Sequence, residues 1–128
     1  MLKQTFKKGE RLHSKKLISL LFETGNSFFI YPFKVVYIFL DEKREFPAEV
    51  LISVSKRKIK RAVKRNKVKR LIREAYRKNK YLIFDNNHGT LLMGLIYIAD
   101  DVLEYKQIER KITLILQKLK EKNEESNR

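Results

Sequence analysis

The sequence predicts a single α+β domain of the order α-β-β-α-β-α, a sandwich built on a small mixed sheet with helices on one side. Three observations predict it. Apolar, β-branched and aromatic runs alternate along the chain with amphipathic helical segments. The 128 residues suit one domain, residues 1–128, and contain no repeat or linker that would divide them. A hydrophobic content of 43%, with 8 Phe and 6 Tyr, supplies a core of a kind that disordered basic chains lack.

The elements follow in order. Residues 1–11 are short, polar and basic, and read as an arm. Ser14 is an N-cap, after which Leu17, Ile18, Leu20, Leu21 and Phe22 form a short amphipathic helix that Gly25 ends. Ile18 and Phe22, four apart, share a face. Residues 27–40 carry strand chemistry interrupted by Pro32, which places the regular strand at Phe33–Leu40. Within it Phe33, Val35, Tyr37 and Phe39 share one face. Ala48–Val54 is a second strand, and across the charged turn at residues 41–46 the two read as a hairpin. A basic helix covers residues 56–80. Asn86-Asn87-His88-Gly89 is a loop, and residues 90–99, TLLMGLIYIA, form a strand covered on both faces and hence central. A last helix spans residues 103–119, with Ile108, Ile112, Ile115, Leu116 and Leu119 on its apolar face. The tail at residues 121–128 reads as frayed.

Charge is concentrated in one place. Residues 56–80 hold 14 of the chain's 30 Lys and Arg and one of its 15 acids, Glu74, and so carry nearly all of the +15. Such a cluster cannot be neutralised within the chain, and like charges at i, i+4 oppose helix formation. An external polyanion offsets that cost, and nucleic acid is the first candidate, an anionic membrane surface the second. The absence of Cys excludes disulfides and Cys-based zinc fingers and fits a reducing cytoplasm. No signal-peptide pattern or membrane-length apolar run is present.

Angular placement at 100° per residue divides the basic helix. Val68, Leu71, Ile72, Ala75 and Tyr76 form a core face, while Ile59, Ala62, Val63 and Asn66 fall on the opposite side. An unbroken helix would present Ala62, Asn66, Arg70, Arg73 and Arg77 outward, a ridge of small and amide side chains continued by arginines suited to phosphate. The alternative is a first turn that is irregular or packs against a different element, and this choice decides whether Ile59 and Val63 are core or contact surface.

The residues Ile59-x-x-Ala62-x-x-Arg65-Asn66-Lys67-Val68-Lys69-Arg70-Leu71-x-Arg73-Glu74, preceded by Ser53-Val54-Ser55-Lys56-Arg57, resemble the protein subunit of bacterial ribonuclease P. Phe6-Lys7-Lys8-Gly9-Glu10-Arg11-Leu12 is in the same style. Lys67 stands where that family often has Arg, and keeps the charge without the planar fork. The resemblance implies a fold with the basic helix in a left-handed βαβ crossover, like that of the second domain of a small-subunit ribosomal protein. It implies a subunit of a ribonucleoprotein endoribonuclease that removes the 5′ leader of precursor tRNA. Catalysis there belongs to the RNA and its Mg²⁺ ions, and the protein alone binds no cofactor. The implied partners are the catalytic RNA and precursor tRNA, with no DNA and no membrane. Carried over by position, RNA binding falls to Lys56, Arg57, Lys60, Arg61, Lys64, Arg65, Asn66, Lys67, Lys69, Arg70, Arg73 and Arg77. A leader-binding cleft between the first helix and the sheet falls to Ile18, Phe22, Tyr37, Ser53 and Ser55.

An active site in the polypeptide itself finds no support in the sequence. His13 and His88 lie apart from any nucleophile or acid motif, and Asp100-Asp101 reads as a solvated turn. A ribosomal protein would share the charge and size but not the motif. A DNA-binding protein would call for groove-reading geometry and a dimer, for which no heptad run exists.

Overall fold

The computed structural model describes residues 5–83 and 89–126. Its elements are α1 (Lys15–Thr24), β1 (Asn26–Ile30), β2 (Phe33–Leu40), β3 (Ala48–Val54), α2 (Ala62–Asn79), β4 (Thr90–Tyr97) and α3 (Tyr105–Ser126), with short 3-10 turns at Lys8–Glu10 and Lys80–Ile83. The mixed α+β architecture is the expected one, with an additional strand. The aromatic stretch before Pro32 is ordered as β1, so the hairpin of the fold is β1–β2 and Pro32 sits in its turn.

The sheet order is β1-β2-β4-β3. β4 runs antiparallel to β2 and parallel to β3, so the expected hairpin between β2 and β3 does not form. The reason is burial. TLLMGLIY is apolar on both faces and is the most buried strand, with only Ile96 short of full burial, and it takes the inner position between the two. The chain therefore passes from β3 through α2 to reach β4.

Strand alternation distributes the core over both faces. On one side Phe33, Val35 and Tyr37 of β2, Val50 and Val54 of β3, and Met93 and Leu95 of β4 meet α2 and α3. Val68, Ile72, Ala75 and Tyr76 come from α2, and Ile108, Ile112, Ile115, Leu116 and Leu119 from α3. These apolar helix stripes are the ones read from the sequence, and each fully buried side chain contributes about 1.5–3 kcal/mol. On the other side Leu12 and Leu21 pack on Val36 and Leu92. Thus α1 lies opposite α2 and α3, and the helices are not confined to one side.

Within the described residues, 5–11 and 121–126 differ from the expected arm and frayed tail. Glu10 is buried, Arg11 bridges Val50 along the open edge of β3, and the Leu12 amide donates to the Val50 carbonyl at 3.0 Å. The residue 5–12 segment is therefore part of the fold. The last helix begins at Tyr105 and continues to Ser126. The loop read at residues 86–89 lies, apart from Gly89, outside the described residues. Ser14 caps α1 by accepting from the Leu17 amide at 3.2 Å. Gly25 closes it, where an added Cβ would stand 2.3 Å from the Leu21 carbonyl oxygen and only hydrogen fits.

Candidate nucleic-acid interface

The basic segment is helical only from Ala62. Before it, a turn is held by the Ser55 hydroxyl, which accepts from the Lys58 amide at 3.2 Å, and by the Ser55 carbonyl, which accepts from the Ile59 amide at 3.0 Å. One Arg65 nitrogen then donates to the carbonyls of Ile59 at 2.9 Å and Lys60 at 2.7 Å. This turn points Ile59 into the core, 3% exposed, while Val63, on the first turn of α2, is 81% exposed. The irregular alternative is the one realised: Ile59 is core and Val63 is surface.

The outward ridge of α2 is formed by Ala62, Val63, Asn66, Lys67 and Arg70, all exposed. The other expected members behave differently. Arg77 donates to Glu74 at 2.6 Å, and Lys78 reaches the same carboxylate at 3.6 Å. That pairing holds Glu74 below the usual carboxylate range, chiefly through its hydrogen bond to Arg77. Arg73 is half-buried beside Arg11; burial, and then the like charge of Arg11, push its pKa down. Arg65 serves the turn described above. Lys56, Arg57, Lys60, Arg61 and Lys64 are exposed, and Lys69 is half-buried. Among the described residues these cations have no carboxylate partner. The positive charge is uncompensated along the N-terminal half of α2, and carboxylates meet it only toward the C-terminal end, at Glu74 and, for Lys80, at Glu10.

A second surface lies on the α1 side of the sheet. Pairing registers place Phe29, Lys34, Ile96 and Ser53 in one row across all four strands, and Ser27, Val36, Gly94 and Leu51 in the next. Phe22 of α1 leans over the second row, where a Cβ on Gly94 would lie 3.9 Å from the Phe22 ring tip. Its ring is 48% exposed, Phe29 is 65% exposed, and the Lys34 ammonium stands 5.9 Å from the Phe29 ring centre. Ile18 and Ser53 are half-buried on this face, and the β3 end leads to Ser55 and to exposed Lys56 and Arg57. Aromatic faces with cations at their margin are the chemistry that stacks unpaired bases and holds their phosphates.

Tyr37, expected in this cleft, is not there. It projects from the opposite face of β2, is 6% exposed, and packs against Phe28 and Phe39 with the Lys122 ammonium of α3 at 5.8 Å. The β2 residue that does face α1 is Val36. Phe29 escapes the sequence reading because residues 27–31 lie outside the expected strand, and Lys34 and Ile96 because the row they share with it depends on which strands are neighbours. Strict alternation on either side of Pro32 pairs Phe29 with Lys34 and is the signal that would have found them. His13 is exposed, with Nε2 3.1 Å from the Lys8 carbonyl oxygen. The Asp101 carboxylate accepts from the Val102 amide at 2.8 Å. No cluster of three or more His, Asp or Glu that could hold a metal occurs among the described residues.

A family model described as Ribonuclease P matches residues 6–120. The chain belongs to the ribonuclease P protein family. A ribonuclease P protein component from Porphyromonas gingivalis is 39% identical over 106 residues, covering 80% of this chain and 77% of that protein. The component from Petrotoga mobilis is 32% identical over 120 residues, 91% of this chain and 96% of that one. Among solved structures, the RNase P protein of Staphylococcus aureus matches with a TM-score of 0.69 and 26% identity, covering 88% of this chain and 97% of that chain. The RNase P protein from Thermotoga maritima has the same fold, with a TM-score of 0.68 at 23% identity over 85% of this chain and 96% of that one. Membership in the ribonuclease P protein family assigns the chain to tRNA processing as a component of an endoribonuclease. No described helix is long and apolar enough to cross a membrane.

Proposed function

We propose that this ribonuclease P protein seats the catalytic RNA on the exposed face of α2 and the 5′ leader of precursor tRNA on the α1 side of the sheet. The observation that carries the reading is the pairing of two chemically different surfaces around one turn. Uncompensated cations on Ala62–Asn79 suit a dense array of phosphates, and the Phe22, Phe29 and Lys34 platform suits a flexible single strand. Lys56 and Arg57 lie where the two meet.

In this reading the RNA performs the hydrolysis and its Mg²⁺ ions activate the water. The polypeptide contributes affinity. Contacts to the leader exist only in the precursor, so they favour substrate over mature tRNA, whose 5′ end has lost the strand that the platform holds. Cytoplasmic residence and the absence of DNA partners accompany the role.

Reconstitution tests it. Cleavage of precursor tRNA by the cognate catalytic RNA at low Mg²⁺ should rise when the full chain is added, and the products should carry mature 5′ ends. Identical rates with and without the protein would overturn the reading.

A further inference from the structure

On the face of β4 turned toward α1 stand Leu92, Gly94 and Ile96. Leu92 is fully buried there and Ile96 packs against the same cluster, so the centre of the strand presents no side chain. In the neighbouring strands the row of Gly94 holds Val36 and Leu51. A hollow one side chain deep is therefore set into the sheet between apolar walls. Its roof is α1: a Cβ on Gly94 would stand 3.7 Å from Leu21 Cδ2 and 3.9 Å from Phe22 Cζ.

The fold itself does not call for glycine at this position. Its backbone φ is not positive, and it pairs with a strand on either side. Separations of 3.7–3.9 Å are ordinary van der Waals contact, so a methyl group fits without moving a neighbour. Gly25 is the contrast, since there only hydrogen fits. Glycine inside a strand gives up packing and loses more chain entropy on folding than alanine does. Stability is thus forgone directly beneath the exposed ring of Phe22, and strand glycines of this kind mark places where another group approaches the sheet closely.

We infer that Gly94 is a positioning residue of the leader platform: the hollow it leaves is a seat into which the tip of the Phe22 ring settles when a base stacks on the ring's outer face. This role rests on the leader site proposed above and adds the residue that sets the depth of its stacking surface. Phe22, 48% exposed, is the group that touches the base, and Gly94 acts through it. A methyl group at position 94 leaves the resting contacts intact and bars the inward movement. A ring held higher carries the stacked base away from Lys34, whose ammonium lies beside Phe29 in the adjoining row.

Gly94→Ala in the full chain, assembled with the cognate catalytic RNA, tests the role. The thermal midpoint of the free chain should rise by about 2–4 °C. Affinity for precursor tRNA should fall about three- to fivefold, and affinity for mature tRNA should stay unchanged. Stability and affinity moving in opposite directions separate positioning from a structural role. In a Phe22→Ala background Gly94→Ala should add no further loss, because the ring it positions is gone. Gly94→Val should lose more precursor affinity than the alanine variant, and if it fails to fold the alanine variant decides. Unchanged precursor affinity in Gly94→Ala, an equal loss for mature tRNA, additive losses in the double variant or a lowered midpoint would each overturn the role. A wild-type assembly that binds precursor and mature tRNA alike would instead remove the leader site itself, and this role with it.

Discussion

Lys80 and Glu10, 70 residues apart, meet at 2.5 Å with both side chains almost wholly buried. The Lys80 ammonium also donates to the Thr5 carbonyl, and the second Glu10 oxygen accepts from the Lys7 amide at 2.8 Å. One cation of the basic segment is thus withdrawn from any nucleic acid and used to fasten the chain's start to the end of α2.

Removing one partner of a buried pair strands the other. Glu10→Ala or Lys80→Met should cost about 3–5 kcal/mol in urea denaturation. The double variant should lose less than the sum of the two. Single losses below about 1 kcal/mol would mean that the pair does not anchor the segment.

Arg65 and Arg70 should separate stability from RNA affinity. Arg65→Ala removes the donor to the Ile59 and Lys60 carbonyls and should lower stability by about 1–3 kcal/mol. Arg70→Ala, on an exposed position, should leave stability unchanged and reduce the slope of log K for RNA against log salt by about 1. An unaltered slope would take Arg70 off the phosphate contacts.

For the platform, Phe22→Ala and Phe29→Ala should each weaken precursor tRNA binding by about 1–3 kcal/mol and leave mature tRNA unaffected. Tyr37→Phe should preserve the discrimination between the two, since Tyr37 faces α3. Equal losses for precursor and product in the Phe variants would remove stacking on the leader from the scheme.

Alkaline pH should destabilise the fold. Burial, and then a hydrogen bond from its hydroxyl to Glu109 at 3.1 Å, push Tyr105 up to about 12 from 10.0. Burial also raises Tyr97 and Tyr76. The folded state therefore holds its protons where the unfolded state releases them. The Tyr105 contribution should be fully present below about pH 10 and be lost as pH rises from about 10 to about 12, with Tyr97 and Tyr76 adding to the loss on the alkaline side. Urea midpoints across this range, with tyrosinate absorbance, provide the measurement. Tyr105→Phe should reduce the slope, and an identical slope would place the titration elsewhere.

Determined by the sequence itself were the features that rest on local pattern: the apolar stripe Val68, Ile72, Ala75 and Tyr76, the Ser14 cap, the doubly buried β4, and the concentration of charge between residues 56 and 80. Each depends on residues within a few positions of one another. Whatever depends on which strand lies beside which was decided by the tertiary structure. Apolarity on both faces draws β4 between β2 and β3, and that insertion dissolves the expected hairpin. Alternation in β2 then settles Tyr37 under α3 and turns Val36 toward α1, a choice of face that composition cannot make. Likewise, Ile59 and Val63 share a helical face only if the helix is continuous. The turn held by Ser55 and Arg65 breaks that phase, sending one to the core and leaving the other on the surface. The convergence of Arg11 with Arg73, and of Glu10 with Lys80, is of the same kind: neither pair is close along the chain, and packing of the residue 5–12 segment against α2 brings both together.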